Sequence, residues 1–285
     1  MRRVHFPTAL QKDEDMDQPA DAECRKRYRS LFVSDLHLGA WGSRAVRFRD
    51  FLRHTDAQTI YLVGDIFDIW HAGRLHWSEV HDEIVEDLLH RARSGVRVVY
   101  LPGNHDDRVR RLESSQFGAF ELCETAVHKA ADGTSWLVLH GDQCDARIFR
   151  WHVMTRIGSR ANAILRLTDL WLKQRLHRTT ERGLFELAIV GVNALMLVGN
   201  RFEERLTALA RDGGHDGVIC GHFHKAALHL RDGITYANCG DWVDSQTALV
   251  ETADGALQML EWSGETQSAE VWTPAPARHR IWSRI

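Results

Sequence analysis

Five times along this chain a short apolar run breaks at once into aspartate, histidine or asparagine, and no other feature constrains the fold as tightly. The runs are "LFVSDLHLG" at 31–39, "TIYLVGDIFD" at 59–68, "VRVVYLPGNHDD" at 96–107, "SWLVLHGD" at 135–142 and "GVICGHFH" at 217–224. Each is rich in Val, Ile, Leu or Tyr, as a strand buried on both faces should be, and the strands are expected at Leu31–Val33, Ile60–Val63, Val96–Leu101 and ahead of His140 and Gly221. Amphipathic stretches lie between the first three. In "VHDEIVEDLLHRA" (80–92), Ile84, Val85, Leu88 and Leu89 fall on one face at helical spacing. Strands alternating with helices imply a parallel or mixed sheet with helical layers. In such sheets sites form where the carboxyl ends of the strands meet the loops. The polar residues stand at those ends, with Gly39, Gly64, Gly103, Gly141 and Gly221 supplying tight turns and close backbone approach.

The collected side chains are Asp35, His37, Asp65, Asn104, His140, His222 and His224. Two carboxylates, one amide oxygen and four imidazoles exceed the three or four donors of a mononuclear zinc site. They suit two divalent cations with mixed nitrogen and oxygen coordination, such as manganese, iron or zinc. A two-metal site needs a carboxylate shared by both ions, and Asp65 is assigned that place because it follows the central strand directly through Gly64.

Composition sets the surroundings. In 285 residues, 44% apolar or aromatic and 26% charged, there is enough chain for one large domain with an insert. A net charge of -3 gives no broad basic footprint for nucleic acid. The five cysteines are scattered and never form C-x-x-C, which argues against a disulfide framework or structural zinc and for a reducing compartment, the cytoplasm by default. Residues 1–28 read as a flexible leader without a signal-peptide core, and 265–285 as a C-terminal tail. The most apolar stretch, 184–198, is too short to span a bilayer and is interrupted by Glu186 and Asn193.

As a set, "DLH", "GDIFD", "GNHD", "HGD" and "GHFH" resemble the five blocks of the calcineurin-like metallophosphoesterases, in the family's order, from Asp35 to His224. The resemblance implies an α/β chain (α+β by some definitions): a four-layer sandwich of two mixed β-sheets flanked by helices, with the catalytic domain over 29–264. It also implies a division of ligands. Asp35, His37 and His224 would hold one ion, Asn104, His140 and His222 the other, and Asp65 both. The ions would lower the pKa of a bridging water and so provide a hydroxide for in-line attack on phosphorus. His105 would face the phosphate, stabilising charge or protonating the leaving oxygen, and Asp68 would orient it. Asp106 and Asp142 read as supporting acids.

Between His140 and His222 lie about eighty residues that the sheet does not need. They read as a helical cap insert over about 145–212. From Asp145 to Arg182 the insert carries nine Lys or Arg against three acids, interleaved with Trp151, Ile157, Ile164, Leu165, Trp171 and Leu172. That mixture suits a ligand with phosphate and acyl parts, or an anionic membrane surface on which the protein rests peripherally. The chain here is similar to the UDP-2,3-diacylglucosamine pyrophosphatases of lipid A synthesis, which place a helical cap at this point. "LFVSDLHLG", "YLVGDIFDIW" and "YANCGDWVDSQTALVE" resemble that branch. The resemblance implies cleavage of a lipid-linked nucleotide diphosphate to UMP and a sugar-lipid phosphate. It places Asp145 near the substrate; the insert's basic residues Arg147, Lys173 and Arg175 read as diphosphate or membrane contacts, Arg147 joining Asp145 as an expected substrate-binding residue. The best-known members of the branch carry Arg where this chain has His105, the commoner form in the wider family. The alternatives are a phosphodiesterase acting on soluble nucleotides, indifferent to loss of the insert, and a non-catalytic binding module, which would be expected to have lost ligands.

Overall fold

The computed structural model describes residues 25–69, 75–112, 115–144, 199–264 and 267–270. Its strands are β1 Lys26–Val33, β2 Thr55–Val63, β3 Arg97–Leu101, β4 Gln116–Phe117, β5 Phe120–Leu122, β6 Thr125–Lys129 and β7 Ser135–Leu139, followed by β8 Gly217–Cys220, β9 Ala227–Arg231, β10 Ile234–Asn238, β11 Thr247–Glu251, β12 Leu257–Trp262 and β13 Gln267–Glu270. The helices are α1 Ala45–His54, α2 Glu79–Arg93, the short α3 Asp107–Arg110 and α4, described over 199–212.

Two mixed sheets result. The larger runs β13-β12-β11-β1-β2-β3-β5-β4 and the smaller β6-β7-β8-β10-β9. In the larger, β1, β2 and β3 are parallel, and β11 closes antiparallel on β1. In the smaller, β7, β8 and β10 are parallel between antiparallel edges.

Strand alternation sorts side chains into layers, because successive residues point to opposite faces. Leu31, Val33, Ile60, Leu62, Val98 and Tyr100 face α1 and α2 and pack on Phe48, Phe51, Ile84 and Leu88. Their neighbours Phe32, Tyr61, Val63, Val99 and Leu101 face the other sheet and meet Trp136, Val138 and Ile219. The far face of the smaller sheet, Leu137, Leu139, Val218, Cys220 and Tyr236, is covered by Phe202, Leu206 and Ala210 of α4. The order is therefore helices, sheet, sheet, helix, the four layers expected. At the site end, the carboxyl ends of β1, β2 and β3 lie beside those of β7 and β8.

Two ends of the domain differ from expectation. β1 starts at Lys26, so residues 26–28, expected in the leader, pair with β2 through Lys26↔Thr55 and Tyr28↔Ala57. β13, expected in the tail, pairs with β12. In both cases the sheet adds ladder hydrogen bonds to segments that have no apolar signal of their own. Residues 199–212, expected in the helical cap insert, form α4 and pack on the smaller sheet as the fourth layer. Residues 145–198, with Asp145, Arg147, Lys173 and Arg175, lie outside the described residues, as do 1–24 and 271–285.

Candidate active site

The ligand-type residues follow their strands in an unusual backbone conformation. Asp35 (φ 54°), His37 (φ 46°), Asp65 (φ 53°), His222 (φ 68°) and His224 (φ 51°) all lie in the left-handed region. Non-glycine residues avoid it, and such strain concentrates at functional sites that the surrounding structure holds in place. Backbone bonds do the holding here. Asp35 N–H donates to Gly64 O (3.0 Å), His37 N–H to Asp65 O (2.9 Å) and Gly221 N–H to His140 O (3.1 Å). Trp242 N–H donates to Asp35 O (3.1 Å), which anchors the first ligand loop to the turn after β10. Across the two sheets, His222 N–H donates to Asp35 Oδ2 (2.9 Å).

Close approach explains two glycines. A methyl group at Gly103 would collide with Asp65 Oδ1 and stand 2.8 Å from His140 Nε2. One at Gly221 would collide with Ser34 Oγ and stand 2.7 Å from Asp35 Oδ2.

The side chains converge in three overlapping groups whose ligand atoms all lie within 4.8 Å of one another: Asp35, His37 and His224; His37, Asp65 and His105; Asp65, His140 and His222. His224 Nε2 is 3.2 Å and His37 Nε2 3.8 Å from Asp35 Oδ1, and the two imidazole nitrogens are 3.4 Å apart. His140 donates Nδ1–H to Val63 O (2.9 Å), so its Nε2 is the atom aimed inward, 3.5 Å from Asp65 Oδ2. A hydrogen bond of this kind fixes the tautomer of a metal-binding imidazole. Asp35 Oδ1, Asn104 Oδ1 and His140 Nε2 are buried with no hydrogen-bond partner. Three orphaned donor atoms from three separate loops are costly unless an ion satisfies them. The donor set fits divalent metal ions.

Electrostatics point the same way. Burial alone would push the Asp35 carboxyl up, but the His224 imidazole 3.2 Å away and the charge of His140 hold it below the usual carboxylate range. Burial likewise opposes ionisation of Asp65, and His140, His105 and His37 outweigh it. Against burial, Asp65 raises His140 to about 10 and Asp35 raises His224 to about 9. Burial and the charge of His140 push His222 down to about 4. The two carboxylates thus favour their charged forms and draw positive charge onto the imidazoles around them, as a site for cations would.

His105 stands at the rim. Its Nδ1 is 3.1 Å from Asp68 Oδ1 and its Nε2 is 4.0 Å from Asp65 Oδ2. Burial lowers its basicity, but Asp68 and Asp65 together raise it above the ordinary imidazole value. Asp106 is fully buried and ties loops together, accepting from Ile66 N (2.9 Å), Gly103 N and Tyr100 Oη.

Three contributors escaped the sequence reading. Ser34 Oγ lies within hydrogen-bond reach of both Asp35 Oδ2 and Val63 O, its single proton shared between them. Trp242 clamps Asp35 from the "CGDWVDS" turn, in which Asp241 accepts from Val243 N (2.8 Å) and Asp244 N. Arg110 links the Asn104 and His140 loops. For Ser34 the signal was its place beside Asp35 in the first run, and for Trp242 the ligand-free "CGDWVDS" block after β10; for Arg110 the sequence holds no signal.

Two facing sheets whose strand ends bring aspartate, histidine and asparagine to one point define a metal-dependent hydrolase of phosphoesters. The family model described as calcineurin-like phosphoesterase matches residues 28–226. The chain belongs to that family. Among curated proteins it is 28% identical to the UDP-2,3-diacylglucosamine hydrolase of Ralstonia nicotianae, over 74% of this chain and 83% of that one. It is 25% identical to the protein of the same name from Neisseria gonorrhoeae, over 80% and 96%. With that of Xanthomonas campestris pv. campestris it shares 27% over 81% and 98%.

Proposed function

We propose that the chain hydrolyses the diphosphate of UDP-2,3-diacylglucosamine or a similar lipid-linked nucleotide, releasing UMP and a sugar-lipid phosphate. The observation that carries the reading is the shared position of Asp65, whose carboxylate belongs to two of the three converging donor groups. Asp35, His37 and His224 would hold one ion, Asn104, His140 and His222 the second, and Asp65 would be shared. Manganese is the first choice for such a set, with iron and zinc as substitutes. When bound, the two ions activate water and neutralise phosphoryl oxygens.

The rest falls to the chain's own side chains. Asp68 orients the His105 ring and favours its protonated form, with Nε2 4.0 Å from Asp65 Oδ2. From there the imidazolium pairs with a phosphate oxygen and passes its proton to the departing oxygen. Phe202, buried, sets its ring 5.8 Å from the His222 imidazole. The substrate assignment is supported by the names of relatives matched over most of their length. The basic and apolar composition of the insert suits the lipid and diphosphate parts, with Asp145 and Arg147 as its proposed substrate contacts. Among the described residues no helix is long and apolar enough to cross a membrane. A peripheral position on the cytoplasmic face of the inner membrane, where a lipid-linked nucleotide presents its head group, goes with this substrate.

The test is a hydrolysis assay on manganese-loaded protein with UDP-2,3-diacylglucosamine in detergent beside bis-p-nitrophenyl phosphate, with His222→Ala as the control for metal dependence. UMP release far faster than generic cleavage is expected. Generic cleavage with the lipid nucleotide untouched leaves the phosphoesterase and refutes the substrate, favouring a soluble nucleotide.

A further inference from the structure

The second metal position draws its ligands from both sheets: Asn104 follows β3 of the larger one, and His140 and His222 follow β7 and β8 of the smaller. Its geometry therefore depends on what holds the two loops in register across the seam. Arg110, the last residue of α3, stands there with its whole guanidinium engaged. Nη1 is 2.9 Å from Asp142 Oδ2 and Nη2 is 3.1 Å from Asp142 Oδ1, a bidentate fork. Nη2 also donates to Pro102 O (2.7 Å) and Nε to Glu124 Oε1 (2.7 Å), with Asp107 Oδ1 3.5 Å from Nη1. Pro102 lies two residues before Asn104, and Asp142 two residues after His140. The ring continues through Gln143, whose Nε2 donates to Glu124 Oε2 (3.0 Å) and whose Oε1 accepts from Gly141 N (3.1 Å).

We infer that Arg110, forked to Asp142, is a positioning residue that sets the spacing of the Asn104 and His140 loops and thereby selectively sets the affinity of the second metal position. The pair is three-quarters or more buried, at 23% and 11% side-chain exposure, so solvent screens it less than a surface pair. The first position rests on other bonds: Asp35 N to Gly64 O, Trp242 N to Asp35 O and His222 N to Asp35 Oδ2 involve neither Arg110 nor Asp142. His140 Nδ1 to Val63 O also crosses the seam, but it orients one ring and leaves the Asn104 loop untouched. Lysine cannot replace Arg110, because a point charge satisfies neither the fork nor the carbonyl and Glu124 at once.

This inference rests on the two-ion reading above. Its test is manganese titration of the metal-stripped full-length chain by calorimetry, with electron paramagnetic resonance of the loaded protein. For Arg110→Gln, one ion should bind as in the wild type and the other about 10- to 100-fold more weakly, the range seen when outer partners of metal ligands are removed. Isolated-ion spectra should then replace the coupled-pair spectrum at two equivalents. Arg110→Lys should fall between. Asp142→Asn, which keeps the side-chain volume and reports even if the arginine variant folds poorly, should show the same selective loss. The double variant should be no worse than Arg110→Gln alone, because both changes break the same fork. Two ions bound with unchanged affinities in both variants, or equal weakening of both ions, would overturn the inference. A wild type that binds fewer than two ions would refute the two-ion reading instead.

Discussion

Replacing Asp68 with asparagine isolates what the acid does for His105. The substitution keeps size and removes charge, in a pair 3.1 Å apart whose side chains are 14% and 23% exposed. A charge-assisted hydrogen bond in such partial burial contributes about 1.5–3 kcal/mol net, far below the unscreened Coulomb energy at that distance. At about 1.4 kcal/mol per factor of ten, Asp68→Asn should lower kcat about 10- to 100-fold with KM little changed. His105→Ala, which removes the acid itself, should cost about 10²–10⁴-fold. The assay compares two phosphodiesters on manganese-loaded protein, one leaving as p-nitrophenolate and one as a simple alkoxide. The nitrophenolate departs without a proton, so both variants should lose more on the alkoxide. With Asp68 gone the His105 pKa falls, and the alkaline limb of kcat/KM should move to lower pH. Equal losses on both substrates would refute proton donation and leave charge stabilisation. Wild-type kcat in Asp68→Asn would refute the coupling altogether.

Manganese uptake at pH 7.5 should release protons, because Asp65 and Asp35 hold His140 and His224 protonated up to about 10 and about 9 in the metal-free protein. Calorimetric heats should differ between buffers of unlike ionisation enthalpy, and identical heats would contradict the assigned protonation. Gly221→Ala should weaken metal binding at least about tenfold, since its methyl runs into Ser34 Oγ and crowds Asp35 Oδ2; a metal titration unchanged from wild type would show that the loop gives way freely. Glu251, with no solvent exposure, receives hydrogen bonds from Ser30 Oγ (2.7 Å) and Ala131 N (2.8 Å) and lies 3.0 Å from His128 Nε2. Burial would raise its pKa, but His128, Ser30 and Ala131 hold it below the usual value. A depressed folded pKa contributes stability above the unfolded value, about 4.3, and loses it as pH falls through the folded one. Glu251→Gln should therefore cost about 1–3 kcal/mol in urea unfolding at pH 7, with the gap to wild type narrowing below about pH 4. A gap independent of pH would exclude the charged form as its source.

Much of the site was legible because its determinants are local. An apolar run must become a buried strand, and a polar residue behind a glycine must sit at its end, whichever sheet it joins. Asp35, His37, Asp65, Asn104, His140, His222 and His224 could thus be gathered without knowing which strands are neighbours, and helix α2 followed from the spacing of Ile84 and Leu88. The limits of β1 and β13 were not legible. Lys26-Arg27 and Gln267-Ser268 read as polar ends, and only pairing with β2 and β12 makes them strands.

The sequence by itself determined the donor chemistry and the strand ends that carry it, since both depend on residue type and short-range period. Only the tertiary structure decided what keeps those donors in place. Arg110 meets Asp142 32 positions away, Trp242 reaches back to Asp35, and Glu251 crosses to His128. Each contact exists because two sheets pack face to face. The spacing of packed layers, unlike the period of a strand, depends on the whole set of side chains between them.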